Sequence, residues 1–301
     1  TINGSRDFDI QVFDERFYSR VMAGGSLALG ESYMNGWWDV KALDQFFDKI
    51  LSAKLAGKFT FSWPLVVSFL QAILFNQQSS RRSFMVGEKH YDIGNDLYEA
   101  MLDKRLTYTC GYWKEATNLD EAQEAKLDLV CRKIGLKPGD SVLDIGCGWG
   151  SFLKFAAEKY VIQGTGVTVS KAQAQLAQQR CQGLAIDIKL QDYRKTEGTF
   201  DHIVSLGMFE HVGVKNYRTF MKKAHSLLKD DGLFLLHTIG FNVSSIATDP
   251  WVGKYIFPNG MLPSVKQIGK AAEALFVMED WHNFGAYYEK TLMAWFEYFN
   301  R

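Results

Sequence analysis

The sequence lacks a surplus of charge of either sign. Its 34 lysines and arginines are balanced by 34 aspartates and glutamates. A chain without net charge has no overall field that would draw it onto nucleic acid, so we predict no nucleic-acid partner. Any anionic ligand must be met by a local cluster of side chains.

Cysteine is scarce, and its spacing does not suggest a structural framework. The four cysteines are Cys110, Cys131, Cys147 and Cys181, with no C-x-x-C pair and no histidine at zinc-ligand spacing. This pattern argues against a metal site and against a disulfide framework. A reducing compartment, the cytoplasm, is therefore expected.

Long hydrophobic runs are missing as well. The longest, WPLVVSFLQAILF at 63–75, is shorter than the about 20 residues that a helix needs to cross a bilayer. The opening TINGSRDFDI lacks the basic-then-apolar order of a signal peptide. We therefore expect any contact with a membrane to be peripheral.

The front of the chain has helical spacing. Apolar residues recur at helical intervals from Ile10 to Val21 and again from Leu43 to Leu51, and the polar stretch NQQSSRRS at 76–83 is typical of a linker. The sequence thus predicts a small helical domain over 1–80 and a second domain over 81–301.

Beyond about residue 120, strands alternate with helices. Segments rich in Val, Ile and Leu occur at 141–146, 162–169, 186–193, 200–207 and 233–239. This alternation predicts an α/β fold with a doubly wound, Rossmann-like parallel sheet. We further expect a strand at 276–284 and an amphipathic helix from 287 to 301.

The first predicted strand runs into a glycine-rich loop. In SVLDIGCGWGSFLKF, at 141–155, Gly146, Gly148 and Gly150 follow Asp144 in the pattern D-x-G-x-G-x-G. Three spaced glycines exceed the needs of a turn and allow a nucleotide-like ligand to lie against bare backbone. The spacing differs from that of a dinucleotide site. It resembles the first motif of class I S-adenosylmethionine (SAM) methyltransferases.

Polar residues near this loop suggest contacts for the nucleoside. The ribose-binding acid usual in that superfamily is missing, so Thr168 and Gln173 are the candidates for the hydroxyls. Asp192 and Tyr193, in QDY at 191–193, offer a carboxylate for the adenine amino group and a ring beside the base. Asp192 is equally well explained as a turn residue at the end of a strand.

Further motifs give a more specific resemblance. YTCGYW at 108–113, GVTVSKAQ at 166–173, GMFEHVG at 207–213, LLHTIG at 235–240 and WHNFGAYY at 281–288 occur in this order. Together they resemble cyclopropane-fatty-acyl-phospholipid synthases. GSLALGESYMNGWWD at 25–39 and HYDIGNDLY at 90–98 are similar to that family's lipid-binding segment and its junction with the catalytic domain.

The resemblance implies a reaction. The methyl carbon of SAM is inserted as methylene across a cis double bond of an unsaturated phospholipid acyl chain, and a bound bicarbonate ion removes a proton so that the ring closes. Because attack by the alkene leaves a carbocation, the site must exclude water. The chain is accordingly expected to be a SAM-dependent methyltransferase.

The resemblance also implies site residues. The counterparts of the bicarbonate ligands are Cys110, Glu210, His237, Ile239 through its backbone, and Tyr288. The counterparts of the SAM contacts are Tyr108, Thr109, Gly146, Gly148, Thr168, Gln173, Asp192 and Tyr193. Relatives have Gly-Trp in place of the last pair.

Taken without the resemblance, the residues of the anion site leave alternatives open. Glu210 and His237 follow neighbouring strands and can face the same ligand, but each is also explained as a cap or a core residue. Cys110 as a thiol nucleophile is rejected, since no neighbouring pattern suggests an activated thiolate.

The lipid must reach the site from a membrane. The helical front domain is the expected docking surface, with the run at 63–75 followed by Arg81 and Arg82, each of which contributes roughly 1 kcal/mol near an anionic bilayer. A buried core or dimer helix explains the same run equally well. The resemblance favours a homodimer at the inner face of the membrane.

Two alternative functions follow from the same motifs. One is a related SAM-dependent methyltransferase acting on another lipid or on a small amine. The other is a lipid-binding protein with a regulatory nucleotide site.

The resemblance bears on the end of the chain as well. The family's chains continue past the final helix and add a seventh, antiparallel strand, so this sequence is expected to be truncated at its C-terminus. We therefore expect an unpaired edge of the sheet.

Overall fold

The computed structural model describes residues 1–53 and 94–301. The chain forms two compact units. Of the described residues, 1–53 and 246–259 belong to the first unit, and 94–245 and 260–301 to the second. The apolar run at 63–75, the linker predicted at 76–83, and Arg81 and Arg82 lie outside the described residues.

The first unit packs around Trp38. Its elements are β1 (Gln11–Val12), α1 (Arg16–Met34), β2 (Trp38–Asp39) and α2 (Leu43–Ser52), with β1 and β2 antiparallel. The Trp38 ring is buried, and its indole N–H is shared between the Leu29 carbonyl and the Ser32 hydroxyl. The helical spacing at 43–51 is confirmed by α2, whereas residues near Ile10 form β1 instead.

A short helix from later in the chain completes this unit. In α8 (Pro250–Tyr255), Trp251 lies against Gly30 of α1 so closely that a Cβ there would overlap its ring. Lys254 Nζ and the Tyr255 hydroxyl both donate to Glu31 Oε1, at 2.6 and 3.0 Å. These contacts explain why residues 246–259 pack apart from their neighbours in sequence.

The second unit is built on a five-stranded parallel sheet. Its strands are β3 (Ser141–Ile145), β4 (Gln163–Thr168), β5 (Ile186–Leu190), β6 (Phe200–Leu206) and β7 (Leu228–His237), in the order β5-β4-β3-β6-β7. Its helices are α3 (Asn95–Met101), α4 (Leu119–Lys133), α5 (Ser151–Tyr160), α6 (Lys171–Arg180), α7 (Tyr217–Leu227), α9 (Val265–Ala272) and α10 (Tyr287–Phe299). The predicted α/β fold is confirmed.

Both faces of the sheet are covered, and its central strand β3 is buried along nearly its whole length. On one face, Val142 and Ile162 pack with Leu127 of α4 and Phe152 of α5. On the other, Ile145 and other strand residues pack with α7 and α9. The carboxyl ends of the strands therefore form one edge, where a ligand can be reached by several loops.

The prediction of a strand at 276–284 is wrong. This segment has no regular secondary structure and pairs with no strand among the described residues, and Val277 and Trp281 are 82% and 51% exposed. Phe276 anchors its start, against the rings of His225 and Phe234. The final helix, predicted over 287–301, is confirmed by α10.

β7 is the outermost strand on its side of the sheet among the described residues. Within the described part of the chain, β7 pairs with β6 alone. Among those same residues, no helix combines the length and apolar character that crossing a bilayer requires.

Candidate active site

The glycine loop connects β3 to α5 through three residues with left-handed backbone. Gly146, Gly148 and Gly150 have φ of 85°, 53° and 76°, which side-chain-bearing residues adopt at a cost. A Cβ at Gly146 would also lie 2.6 Å from Met208 Cβ. The loop therefore leaves bare backbone at the carboxyl edge of the sheet.

A cavity of about 170 Å³ opens at this edge. All eight residues predicted to contact SAM line it, namely Tyr108, Thr109, Gly146, Gly148, Thr168, Gln173, Asp192 and Tyr193. They come from four separate segments, at 108–109, 146–148, 168–173 and 192–193, so only the fold brings them together. Their individual roles remain predictions.

Two of these segments are fixed by internal hydrogen bonds. The Thr168 hydroxyl donates to Gln173 Oε1 at 3.0 Å, which orients the Gln173 amide. Asp192 Oδ1 accepts the Arg194 backbone N–H at 2.9 Å, so Asp192 caps the turn at Tyr193–Lys195 and also lines the cavity. Both interpretations of Asp192 thus have structural support.

A buried carboxylate lies beside the cavity. Glu210 follows β6, between Met208 and His211, which both line the cavity. Its Oε1 accepts the Ile239 backbone N–H at 2.7 Å, while its Oε2 is buried with no partner among the described residues. Burial raises the pKa of Glu210. The predicted pair Glu210 and Ile239 is thus brought into direct contact.

His237, at the end of β7, is half-buried, and its Nδ1 atom is fully buried. Its Nδ1 has no partner among the described residues, and its ring stacks on Phe284 with centroids 5.4 Å apart. Burial, together with the nearby charge of Lys126, lowers the pKa of His237 to about 3. The imidazole is therefore neutral at physiological pH.

Cys110 and Tyr288 complete the predicted anion ligands. Burial raises the pKa of both, and the charges of Tyr108, Glu210 and Cys110 raise that of Tyr288 further, which places these groups within electrostatic range of one another. A thiol and a phenol that stay protonated are hydrogen-bond donors. The raised pKa of Cys110 also supports the rejection of a thiolate nucleophile.

Sequence reasoning missed two buried polar residues on α4. Gln123 and Lys126 are 0% and 1% exposed, and Lys126 lines the cavity. Both lie on the helix face that also buries Leu119, Ala122 and Leu127. The sequence held one signal of this burial: Gln123 and Lys126 occupy positions of the helix that its apolar residues would be expected to fill.

Comparison with known proteins shows which family this chain resembles. Residues 78–301 match the family model described as mycolic acid cyclopropane synthetase. The cyclopropane-fatty-acyl-phospholipid synthase of Escherichia coli is 53% identical over 298 residues, which cover 99% of this chain and 78% of that protein.

Solved structures of similar fold include a cyclopropane synthase and an N-methyltransferase. A mycolic acid cyclopropane synthase complexed with SAH and CTAB has a TM-score of 0.67 at 35% identity, covering 71% of this chain and 82% of its own. Coclaurine N-methyltransferase, bound to N-methylheliamine and SAH, also has a TM-score of 0.67, at 27% identity over 85% of this chain and 78% of its own.

Proposed function

The chain belongs to the mycolic acid cyclopropane synthetase family, and on that premise we propose that it transfers a methylene group from SAM to the cis double bond of an unsaturated phospholipid acyl chain. One observation supports this choice most strongly. A buried carboxylate with one unpartnered oxygen among the described residues, Glu210, lies beside a cavity lined by every predicted SAM contact. The name of the Escherichia coli relative suggests the lipid class.

The residues fit a small anion as well as SAM. Glu210, Cys110 and Tyr288 each have a pKa raised by burial, so that their neutral forms are favoured and repel an anion less. We infer that Cys110, His237 and Tyr288 hold a bicarbonate ion with Glu210 at its hydroxyl. The backbone N–H of Ile239 donates a hydrogen bond to Glu210 and so orients that carboxylate.

The chain's contribution to the reaction is then positioning and exclusion of water. Bound SAM supplies the electrophilic methyl group and bound bicarbonate supplies a base. Phe284 covers His237, and Tyr112 packs edge-on against both Phe284 and Tyr287. Ring faces favour a developing positive charge where water is absent.

Replacing Glu210 tests the anion site. In Glu210→Gln the SAM contacts are untouched, so we expect SAM affinity within twofold of wild type and turnover reduced roughly 100-fold or more, the usual size of an acid–base contribution. Depleting bicarbonate should slow the wild type and have little effect on the variant.

The matched control is Glu289→Gln, which changes an exposed carboxylate next to Tyr288. It should keep wild-type turnover and bicarbonate dependence. Weak SAM binding in Glu210→Gln would move Glu210 to the cofactor site, and a wild-type rate unaffected by bicarbonate would refute the proposed base.

We also propose that the protein docks peripherally on the inner face of the membrane, as a homodimer. The first unit exposes large apolar side chains, including Phe13 and Leu51 at 69% and 73%. Apolar side chains on a surface are typical of interaction sites when they cluster. The homodimer rests on the family resemblance, and the cytoplasmic location rests on the spacing of the four cysteines.

A second candidate is methyl transfer to a small amine. The likeness to coclaurine N-methyltransferase extends over more of the chain than the likeness to the cyclopropane synthase structure. Analysis of the reaction product distinguishes the two, because only one of them changes an acyl chain.

A further inference from the structure

Helix α4 buries two polar side chains one turn apart. Gln123 and Lys126 point to the same side because residues three apart share a helix face. Elsewhere that face is apolar. A lysine ammonium taken out of water is costly unless it is paired or has a ligand, so its place here needs a physical reason.

Both side chains hold the segment that crosses the cavity. Gln123 Nε2 donates to the carbonyls of Thr107 and Thr109, at 3.2 and 2.8 Å. Lys126 Nζ donates to the Thr109 hydroxyl at 2.8 Å. The Thr109 methyl carbon lies only 2.4 Å from the position that a Cβ on Gly207 would take. Thr109 is therefore fixed through its carbonyl, its hydroxyl and its methyl.

The Lys126 ammonium has unused bonding capacity. An ammonium has three N–H bonds, and Thr109 accepts the only hydrogen bond that Nζ makes to the described residues. No carboxylate of those residues lies within ion-pair distance. Asp144, which lines the same cavity, has a buried Oδ1 that is also unpartnered within that part of the chain.

The environment of the cavity shifts the pKa values of both Lys126 and Asp144. Burial lowers the pKa of Lys126 to about 8, and burial raises that of Asp144 to about 7. Lys126 stays predominantly charged at neutral pH, and its charge acts on Cys110 and His237 as well. The cation thus lines the cofactor cavity and lies within electrostatic range of two predicted anion ligands.

We propose that Lys126 is a positioning residue for the methyl-transfer site, which acts through the Thr109 hydroxyl and, with Gln123, holds residues 107–110 over the cofactor. Tyr108 and Thr109 then contact SAM while Cys110, the next residue, faces the anion. The role of Cys110 rests on the proposed function, whereas the role of Tyr108 and Thr109 requires only the cofactor cavity.

The test is SAM binding by isothermal titration calorimetry in Lys126→Met, with thermal unfolding of the unliganded protein measured alongside. We expect SAM affinity to fall tenfold or more. The Tm should stay equal or rise, because methionine replaces a buried charge that has no ion-pair partner among the described residues. A residue with only a structural role would lower the Tm and leave the affinity of the folded protein unchanged.

Arg132→Met is the control, since it removes an exposed cation from the same helix. It should bind SAM as tightly as the wild type. An equal loss of affinity in Arg132→Met would show that the charge of the helix, rather than Lys126, matters.

A double-mutant cycle tests the route through Thr109. If Lys126 acts through the hydroxyl, Lys126→Met/Thr109→Val should bind SAM within about twofold of the weaker single variant, since coupled residues are not additive. Losses that multiply would overturn the proposal, as would wild-type affinity in Lys126→Met.

Lys126→Gln keeps an N–H donor and is measured in the same cycle, so that the result does not depend on the methionine variant folding. It should recover at least half of the lost binding free energy through Thr109, and no recovery would contradict that route. SAM binding is read without lipid or bicarbonate, so a failed product assay would leave this result standing.

Discussion

At the scale of single residues, burial shifts the pKa of each ionisable group of the predicted anion site in the direction that favours its neutral form. Glu210, Cys110 and Tyr288 have a pKa raised by burial, and His237 has a pKa lowered by it. Groups shifted in this direction can form hydrogen bonds with a small anion and repel its charge less. Lys126 supplies the remaining positive charge.

The buried His237 predicts a pH dependence of stability. Its pKa is about 3 in the folded chain, and about 6.5 when unfolded, so the unfolded chain takes up the proton first as pH falls. The stability that neutral His237 contributes is present above pH 6.5 and is lost as the pH falls towards 3.

Urea unfolding of wild type and His237→Gln checks this sign. Between about pH 6 and pH 4, the wild type should lose up to about 1.4 kcal/mol per pH unit more than the variant. Parallel stability curves for the two proteins would contradict the burial of a neutral imidazole.

The residues of the site were predictable where they belong to a motif. The cofactor candidates all line the cavity, and apart from Tyr108 and Thr109 they lie in the glycine loop or at or just after the end of a strand, where a fold of this class places its ligand. Gln123 and Lys126 were missed because AQEAK resembles a solvated helix surface. Their burial depends on residues 107–110, which pack over them from outside the helix.

At the scale of elements, two constraints favour glycine at position 207, directly after β6. Gly207 has a φ of 71°, and its missing side chain leaves room for Thr109. Gly183 also has a positive φ, of 83°, but a Cβ added there would meet nothing within 4 Å. A side chain at either glycine would strain the backbone, but only a side chain at Gly207 would also collide with Thr109.

Alanine at each position tests this difference. Gly183→Ala should cost about 1–2 kcal/mol of stability and leave SAM affinity unchanged. Gly207→Ala should cost at least as much and also weaken SAM binding about tenfold or more, because Thr109 must move. Calorimetry and thermal unfolding measure the two effects, and equal SAM affinities would remove the role given to Thr109.

Elements were predicted well where their pattern needs no distant partner. All five strands of the parallel sheet were found from segments rich in Val, Ile and Leu, although β5 and β7 are mostly exposed or half-buried. The segment 276–284 has similar composition, yet it forms no strand among the described residues, since pairing requires a neighbour that composition does not reveal. The return of 246–259 to α1 was likewise invisible in the local sequence.

At the scale of the whole molecule, the proposed substrate lies in a bilayer. We expect the protein to co-sediment with vesicles that contain anionic lipid and to detach as salt is added, since attraction between exposed charges and lipid is screened. The control is a vesicle of neutral lipid at the same concentration. Binding to neutral vesicles that is insensitive to salt would count against an electrostatic contribution.

The product of the reaction tests the central claim most directly. The protein is given SAM and vesicles of unsaturated phospholipid, and the released fatty acids are weighed by mass spectrometry before and after ozonolysis. We predict a gain of one CH2 and resistance to ozonolysis, because the double bond has become a ring. An acyl chain that gains CH2 but is still cleaved, or one that is unchanged while an added amine becomes methylated, would contradict cyclopropanation.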